Sequence, residues 1–252
     1  MIVVKEISKR YGNQTVLDRV SVQVEKGKIT SFIGPNGAGK STLLSVMSRL
    51  LPKDAGEVFI EGVEISQWKS NELARKISIL KQSNILNVRL TVRDLVSFGR
   101  FPYSQGRLTK EDWRYVDEAI AFMELEDLQH KFLDQLSGGQ QQRAFISMVI
   151  AQNTDYILLD EPLNNLDMKH AVQIMKVLRR LVDELGKTVV LVIHDINFAS
   201  CYSDLVVALK DGKVVGQGPV CDMICSPTLR DVYDMHVRIT EIDQKRICVY
   251  YD

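Results

Sequence analysis

Between an apolar run, Lys28 to Ile33, and a stretch that reads as helix through about Leu50 lies Gly34-Pro35-Asn36-Gly37-Ala38-Gly39-Lys40-Ser41. This strand, loop and helix, with the spacing G-x-x-x-x-G-K-[ST], constrains the fold more than any other feature of the chain. The glycines let backbone N–H groups turn inward on phosphate oxygens. The following helix N-terminus adds a dipole that favours an anion. Lys40 is then expected to reach the β- and γ-phosphates of a nucleotide, and Ser41 to hold Mg2+. Pro52 is expected to end the helix.

The rest of the pattern fits an α/β chain. Ile77 to Leu80, Tyr156 to Leu159 and Thr188 to Ile193 are short apolar runs suited to buried parallel strands. Ile2 and Val4, with Ile7 out of phase, read as a strand, and Val20, Val22 and Val24 as another. Glu57 to Ile65 reads as a strand pair turned at Glu61-Gly62. Together these predict a small antiparallel lobe. From Gln82 to Ala151 the rhythm becomes helical. Thr91-Val92-Arg93-Asp94 and Thr109-Lys110-Glu111-Asp112 match a capping box, and Trp113, Val116, Ile120 and Met123 form one core-facing stripe. Asp211-Gly212 reads as a hairpin turn.

The expected fold class is α/β: a P-loop NTPase core of the RecA type, with a small antiparallel β lobe and an inserted α-helical lobe. Residues 1–240 form a single domain on this reading, followed by a short tail over 241–252. The β lobe covers about 1–28 and 57–76, the core about 29–56, 77–82 and 152–220, and the helical lobe about 83–151.

Composition excludes several classes. Lys plus Arg equal Asp plus Glu at 32 each, so no basic footprint of a nucleic-acid binder is present. No apolar run approaches the about 20 residues of a membrane span, and Met1-Ile2-Val3-Val4-Lys5 lacks a signal-peptide layout. The four cysteines, Cys201, Cys221, Cys225 and Cys248, lie late in the chain. Cys221 and Cys225 are spaced for one helical face, but no Cys or His cluster supplies further metal ligands. They read as structural or incidental thiols in a reducing cytosol.

The remaining motifs point to chemistry on a nucleotide. Asp160 and Glu161 follow an apolar strand, where carboxylates are costly unless they meet a metal, a water or a cation. Asp160 is expected to hold Mg2+ through water, and Glu161 to polarise the attacking water as general base. A surface pair after a strand is the plainer alternative. Leu136-Ser137-Gly138-Gly139-Gln140 offers a second phosphate nest at a helix start, with the Ser137 hydroxyl beside it. One triphosphate cannot easily use two such nests from one chain. A two-fold homodimer, each nest capping the other chain's ATP, resolves this. Read alone, Ser-Gly-Gly is a flexible loop in most proteins. His194 ends the run from Val189 and could touch the γ-phosphate, although a lone histidine is usually a surface or core residue. Gln82, after Ile77 to Lys81, could ligate Mg2+ or the lytic water. Tyr11, between Arg10 and Gly12, offers a ring for adenine.

The ordered set resembles the nucleotide-binding subunits of ATP-binding-cassette transporters over nearly all of residues 1 to about 240. The resemblance implies an adenine-stacking aromatic (Tyr11), a Walker A loop (Gly34 to Ser41, then Thr42) and a Q-loop (Gln82). It implies a signature (Leu136 to Gln140), a Walker B strand (Tyr156 to Asp160, then Glu161), a D-loop (Asn164-Asn165-Leu166-Asp167) and an H-loop (His194). The D-loop departs from the frequent Ser-Ala-Leu-Asp wording but keeps Leu166 and Asp167. Such a chain is an ATPase using ATP and Mg2+. It works as a homodimer under two integral-membrane permease subunits, at the cytoplasmic face of the cell membrane. A substrate-binding protein acts on it only indirectly, and nucleic acid has no part.

A finer likeness is to importers of iron chelates, haem and cobalamin. It rests on Gly99-Arg100-Phe101-Pro102-Tyr103 and on the wording Glu161 to Asp167 and His194 to Asn197. It implies uptake of a ferric siderophore, with residues after Gln82 through about Tyr103 lining the groove for the permease. For Gly99 to Tyr103 a helix stop with a turn is the plainer alternative. A haem or cobalamin importer, or a soluble nucleotide-gated switch, is the rival reading. Against the switch, the chain has a single cassette and no heptad stretch.

Overall fold

The computed structural model describes residues 1–82, 88–164 and 166–250. The chain opens with β1 (Ile2–Tyr11) and β2 (Gln14–Val24), then β3 (Ile29–Ile33) leads through the glycine-rich loop into α1 (Lys40–Met47). β4 (Ala55–Ile60), β5 (Val63–Glu64), α2 (Ser70–Lys76) and β6 (Ile77–Leu80) follow. The helical stretch holds α3 (Val92–Ser97), α4 (Phe101–Ser104), α5 (Lys110–Phe122) and α6 (Gly138–Ala151). The core resumes with β7 (Tyr156–Asp160), α7 (Met168–Asp183), β8 (Thr188–Val192), α8 (Ile196–Tyr202), β9 (Leu205–Lys210) and β10 (Lys213–Pro219). Last come α9 (Val220–Met223), α10 (Ser226–Tyr233) and the hairpin β11 (Arg238–Ile242) and β12 (Lys245–Val249).

The expected α/β class is borne out. A six-stranded sheet runs β10-β9-β3-β8-β7-β6, parallel except where β10 turns back on β9, and a four-stranded antiparallel sheet runs β2-β1-β4-β5. Both faces of the parallel sheet are covered, as its continuous apolar runs require. Ile157, Leu159, Val189 and Leu191 face one cluster with the helices. Their neighbours Tyr156, Leu158, Val190 and Val192 face a second cluster, shared with α1 and the antiparallel sheet. This alternation is the strand's two-residue period.

Three local findings refine the expected boundaries. Ile7 is out of phase because β1 changes register between Val4 and Ile7, with Glu6 at φ 52. α1 stops at Met47, short of Leu50, because Arg49 turns into the left-handed region at φ 60; Pro52 is not what ends it. Cys221 and Cys225 do not share a helix, since Cys221 lies in α9 and Cys225 is the N-cap of α10.

The helical lobe is built on both expected capping boxes, in which Thr91 and Asp94, and Thr109 and Asp112, exchange bonds with each other's backbone. Each such cap stabilises its helix start by about 1 kcal/mol. Gly99 to Tyr103 is neither a stop nor a simple turn. A Cβ on Gly99 would lie 2.1 Å from the carbonyl oxygen of Met148, so only glycine allows this close approach to α6. Arg100 is buried, donating to Asp112 at 3.0 Å and to the Ala151 carbonyl at 2.9 Å.

The C-terminal stretch is a docked hairpin. Its β12 carries the buried Cys248 and accepts Asn197 of α8, with Cys248 N–H donating to the Asn197 side chain at 2.7 Å. Among the described residues no helix is long and apolar enough to cross a membrane.

Candidate functional site

The glycine-rich loop leaves the central strand β3 and opens α1. Gly34, at φ 140, has no room for a side chain, because a Cβ would fall 2.0 Å from the Leu209 carbonyl oxygen. Gly39, at φ 97, is the N-cap of α1 and packs against Leu17 and the Val16 carbonyl. Asn36, Gly37, Ala38, Gly39, Lys40, Ser41 and Thr42 line a cavity of about 150 Å3, together with Val16, Glu161 and His194. The α1 N-terminus opens on this cavity, an arrangement suited to an anion.

Lys40 is 5% exposed, and its ammonium donates to the Gly34 and Pro35 carbonyls at 2.7 and 2.9 Å. Burial holds it below the usual lysine range, although Glu161 and Asp160 pull the other way. Phosphate oxygens would replace two neutral acceptors by charged ones, and charge-assisted bonds are about twice as strong.

Asp160 ends β7, 7% exposed, and accepts the Ser41 hydroxyl at 2.7 Å. Burial pushes its carboxyl above the usual carboxylate range, with the Ser41 bond opposing and the Glu161 charge adding. A hydroxyl, a buried carboxylate and an amide nearby are all hard oxygen donors, the chemistry magnesium takes. Among the described residues no group of three or more His, Cys, Asp or Glu could cage a metal unaided, so phosphate oxygens would have to complete the set.

Glu161 is the convergence point. Its backbone sits at φ 52, a left-handed conformation unusual for a glutamate. Its N–H is pinned to the Val192 carbonyl at 3.1 Å. The carboxylate is 9% exposed and takes His194 Nε2 at 2.6 Å on one oxygen. The other oxygen accepts Gln82 Nε2 at 2.6 Å and the Asn164 amide. A glutamate held this way can orient and deprotonate a water.

The remaining expected residues separate into two groups. Gln82, Ser41, Lys40, Asp160, Glu161 and His194 come together. Tyr11 sits at the end of β1, 52% exposed, and is not among the residues lining the loop cavity; Val16 is. Leu136 to Gln140 lie at the start of α6, and none of them lines that cavity. Ser137 is exposed and caps its own helix, accepting Gln140 N–H at 3.3 Å, while Gln140 Oε1 accepts Ser137 N–H at 3.0 Å. Asp167 caps α7 through His170 N–H at 2.9 Å. Asn165 of the expected D-loop, and residues 83–87 of the expected permease groove, lie outside the described residues.

Two contributors escape sequence reading. Gly34 N–H donates to the Tyr233 hydroxyl at 3.0 Å, so α10 holds the entrance of the phosphate loop. Gln142 of α6 donates to the Pro162 carbonyl at 3.0 Å, tying the signature helix to the turn after Glu161. Nothing local to Tyr233 or Gln142 in the chain signals either contact.

The family model for "ABC transporter" matches residues 17–164. The chain is 65% identical over 251 residues to the petrobactin import ATP-binding protein YclP of Bacillus subtilis (strain 168), covering 100% of each. It is 46% identical over 250 residues to the petrobactin import ATP-binding protein FatE of Bacillus anthracis, covering 99% of this chain and 100% of FatE. The dimeric post-hydrolysis structure of the ATP-binding cassette MJ0796, with ADP and Pi bound, superposes with a TM-score of 0.78 at 34% identity. That match covers 87% of this chain and 99% of MJ0796.

Proposed function

The chain belongs to the ABC transporter family of ATP-binding subunits, and on that premise we propose that it energises import of a ferric siderophore of the petrobactin kind. Binding ATP and coupling its hydrolysis to transport is the activity of this family. The observation that carries the reading is full-length likeness to two petrobactin import subunits, joined to a Glu161 carboxylate held by Gln82, His194 and Asn164 beside a phosphate loop.

In the cycle, backbone N–H groups of Gly34 to Thr42 bind the phosphates and Lys40 pairs with the β- and γ-oxygens. Ser41, Asp160 and Gln82 would hold Mg2+, which supplies charge neutralisation on the phosphates. Glu161 takes the proton of the attacking water, and His194 fixes both Glu161 and the γ-phosphate. Tyr11 stacks on adenine from its exposed position. Ser137, Gly138, Gly139 and Gln140 cap the ATP of a second copy in a homodimer, with Asp167 near the shared boundary. That reading is supported by the absence of these residues from their own chain's loop cavity.

Association with the membrane comes through permease subunits. We place the dimer on the cytoplasmic face of the membrane below two of them, with a substrate-binding protein acting indirectly from the far side. Val88, Phe98 and Phe101 are exposed large apolar residues in the segment after Gln82, chemistry suited to a permease helix. Phe98 is the position for testing that coupling, since it is exposed whereas Leu90 is half-buried and its change would disturb packing within the lobe.

The test is uptake. A strain lacking the chain should lose growth on ferric petrobactin as sole iron source, and the Lys40→Ala form should fail to restore it. Normal petrobactin uptake with a defect in haem or cobalamin uptake would refute the substrate and leave the ATPase standing.

A further inference from the structure

Gly139 is the second glycine of the signature loop, and one side chain packs closely over it. A Cβ there would lie 3.2, 3.4 and 3.5 Å from Cγ, Nδ1 and Cδ2 of His170, and those are its three nearest atoms. Gly139 lies within α6 and has no positive φ. The ring, not the backbone conformation, therefore crowds any side chain here, and the imidazole would have to give by a few tenths of an ångström to admit one. The same imidazole turns Nδ1 toward both carboxylate oxygens of Asp167, each at 2.8 Å. A carboxylate only accepts, so Nδ1 carries the proton. The backbone bond from His170, then its ring, holds the Asp167 carboxyl below the usual carboxylate range.

His170 is thus a spacer with a contact on each side. One side is the backbone of the signature helix, and the other is the carboxylate that caps α7 just after the turn from Glu161. The Gln142 bond to the Pro162 carbonyl runs parallel to it. On the shared-site reading, on which this inference rests, these two segments serve different nucleotides. Glu161 and its turn attend the chain's own ATP, whereas Ser137 to Gln140 attend the partner copy's.

We infer that His170 is a positioning residue for hydrolysis. Its imidazole, wedged between Gly139 and Asp167, makes the state of one ATP site set how the signature is presented to the other. Cutting the spacer leaves both halves intact and only the Gln142 bond between them, so their motions are less tightly coupled.

The full chain assembled with its permease subunits gives the test. His170→Ala should lower kcat by roughly fivefold or more, the size of a typical coupling between sites. The Hill coefficient of ATPase against ATP should fall toward 1. ATP affinity should stay at the parent value when measured in a Ser137→Arg background, where the dimer does not close. His170→Asn retains an amide donor for Asp167 but not the ring over Gly139, and should keep the Asp167 cap while still losing cooperativity. Gly139→Ala should harm the parent more than it harms His170→Ala, because the space has been cleared.

A parent-like Hill coefficient in both His170 variants would overturn the inference, as would a loss of ATP affinity in the Ser137→Arg background. Mixing Lys40→Ala with Ser137→Arg protein tests the shared site separately. Recovery of ATPase in that mixture, with unchanged cooperativity in the His170 variants, removes the spacer role alone. No recovery removes the shared site and the spacer role with it.

Discussion

The two glycine-rich turns of the chain each open a helix, but their surroundings differ. Around Gly34 to Ser41 stand a buried ammonium, a buried carboxylate, a base held by three side chains, and a hydroxyl from α10. Around Leu136 to Gln140 the polar groups satisfy one another: Ser137 and Gln140 close a capping box and face solvent. The first turn has the cation, the metal-binding carboxylate and the base that a protein contributes to phosphoryl transfer. The second has donors but, in its own bonds, no cation and no base. A turn of that kind fits a reaction whose charged groups lie elsewhere, and this is the physical ground for proposing a two-fold arrangement.

The largest expected effect would break the first half of that contrast. Glu161→Gln should keep ATP binding and lower turnover by about a hundredfold or more, since a general base contributes on that order. It should also trap an ATP-bound dimer visible by gel filtration. Turnover near the parent rate would remove Glu161 as the base.

His194→Ala comes next. It deletes a bond to Glu161 and the proposed γ-phosphate contact, so kcat should fall about a hundredfold with little change in ATP affinity. Steady-state kinetics check this, and unchanged turnover would return His194 to a structural role. Lys40→Ala should act on affinity instead. Losing a charge-assisted contact costs about 1.5–3 kcal/mol, or roughly ten- to a hundredfold in Kd by nucleotide titration.

The smallest effect sharpens the comparison at the loop's edge. Tyr233→Phe removes one acceptor for Gly34 N–H and should cost about 1 kcal/mol in denaturant unfolding. It should also change the alkaline limit. Burial pushes the Tyr233 phenol up to about 12 from an ordinary 10.0. The folded chain therefore holds that proton more tightly than the unfolded one. Its contribution is full below the unfolded value and lost as pH rises through the folded one. The Phe variant should lose less stability than the parent across that window, by thermal melts at stepped pH.

What the sequence made legible was whatever is encoded within a few residues. The glycine spacing, the Asp160-Glu161 pair at the end of an apolar run, the two Thr-to-Asp capping boxes and the Asp211-Gly212 turn each carry their own signal. What escaped depends on partners distant in the chain. The left-handed turn at Glu161 exists because Val192 of β8 receives its N–H. Arg100 looked like part of a family marker, yet it is buried because Asp112 and Ala151 meet it there. The last residues looked like a tail because nothing local shows that Asn197 of α8 receives the Cys248 N–H.

The position of β3 has a consequence for how the protein is made. Its neighbours in the sheet are β8 and β9, and the loop it feeds is held by Tyr233. All of these leave the ribosome long after β3 itself, because synthesis runs from the N-terminus. A nascent chain that has already emitted Gly34 to Ser41 therefore carries the phosphate-binding sequence without its shape. Nucleotide could serve as a folding ligand only near the end of synthesis, and premature termination anywhere before β9 would leave a fragment unable to sequester ATP.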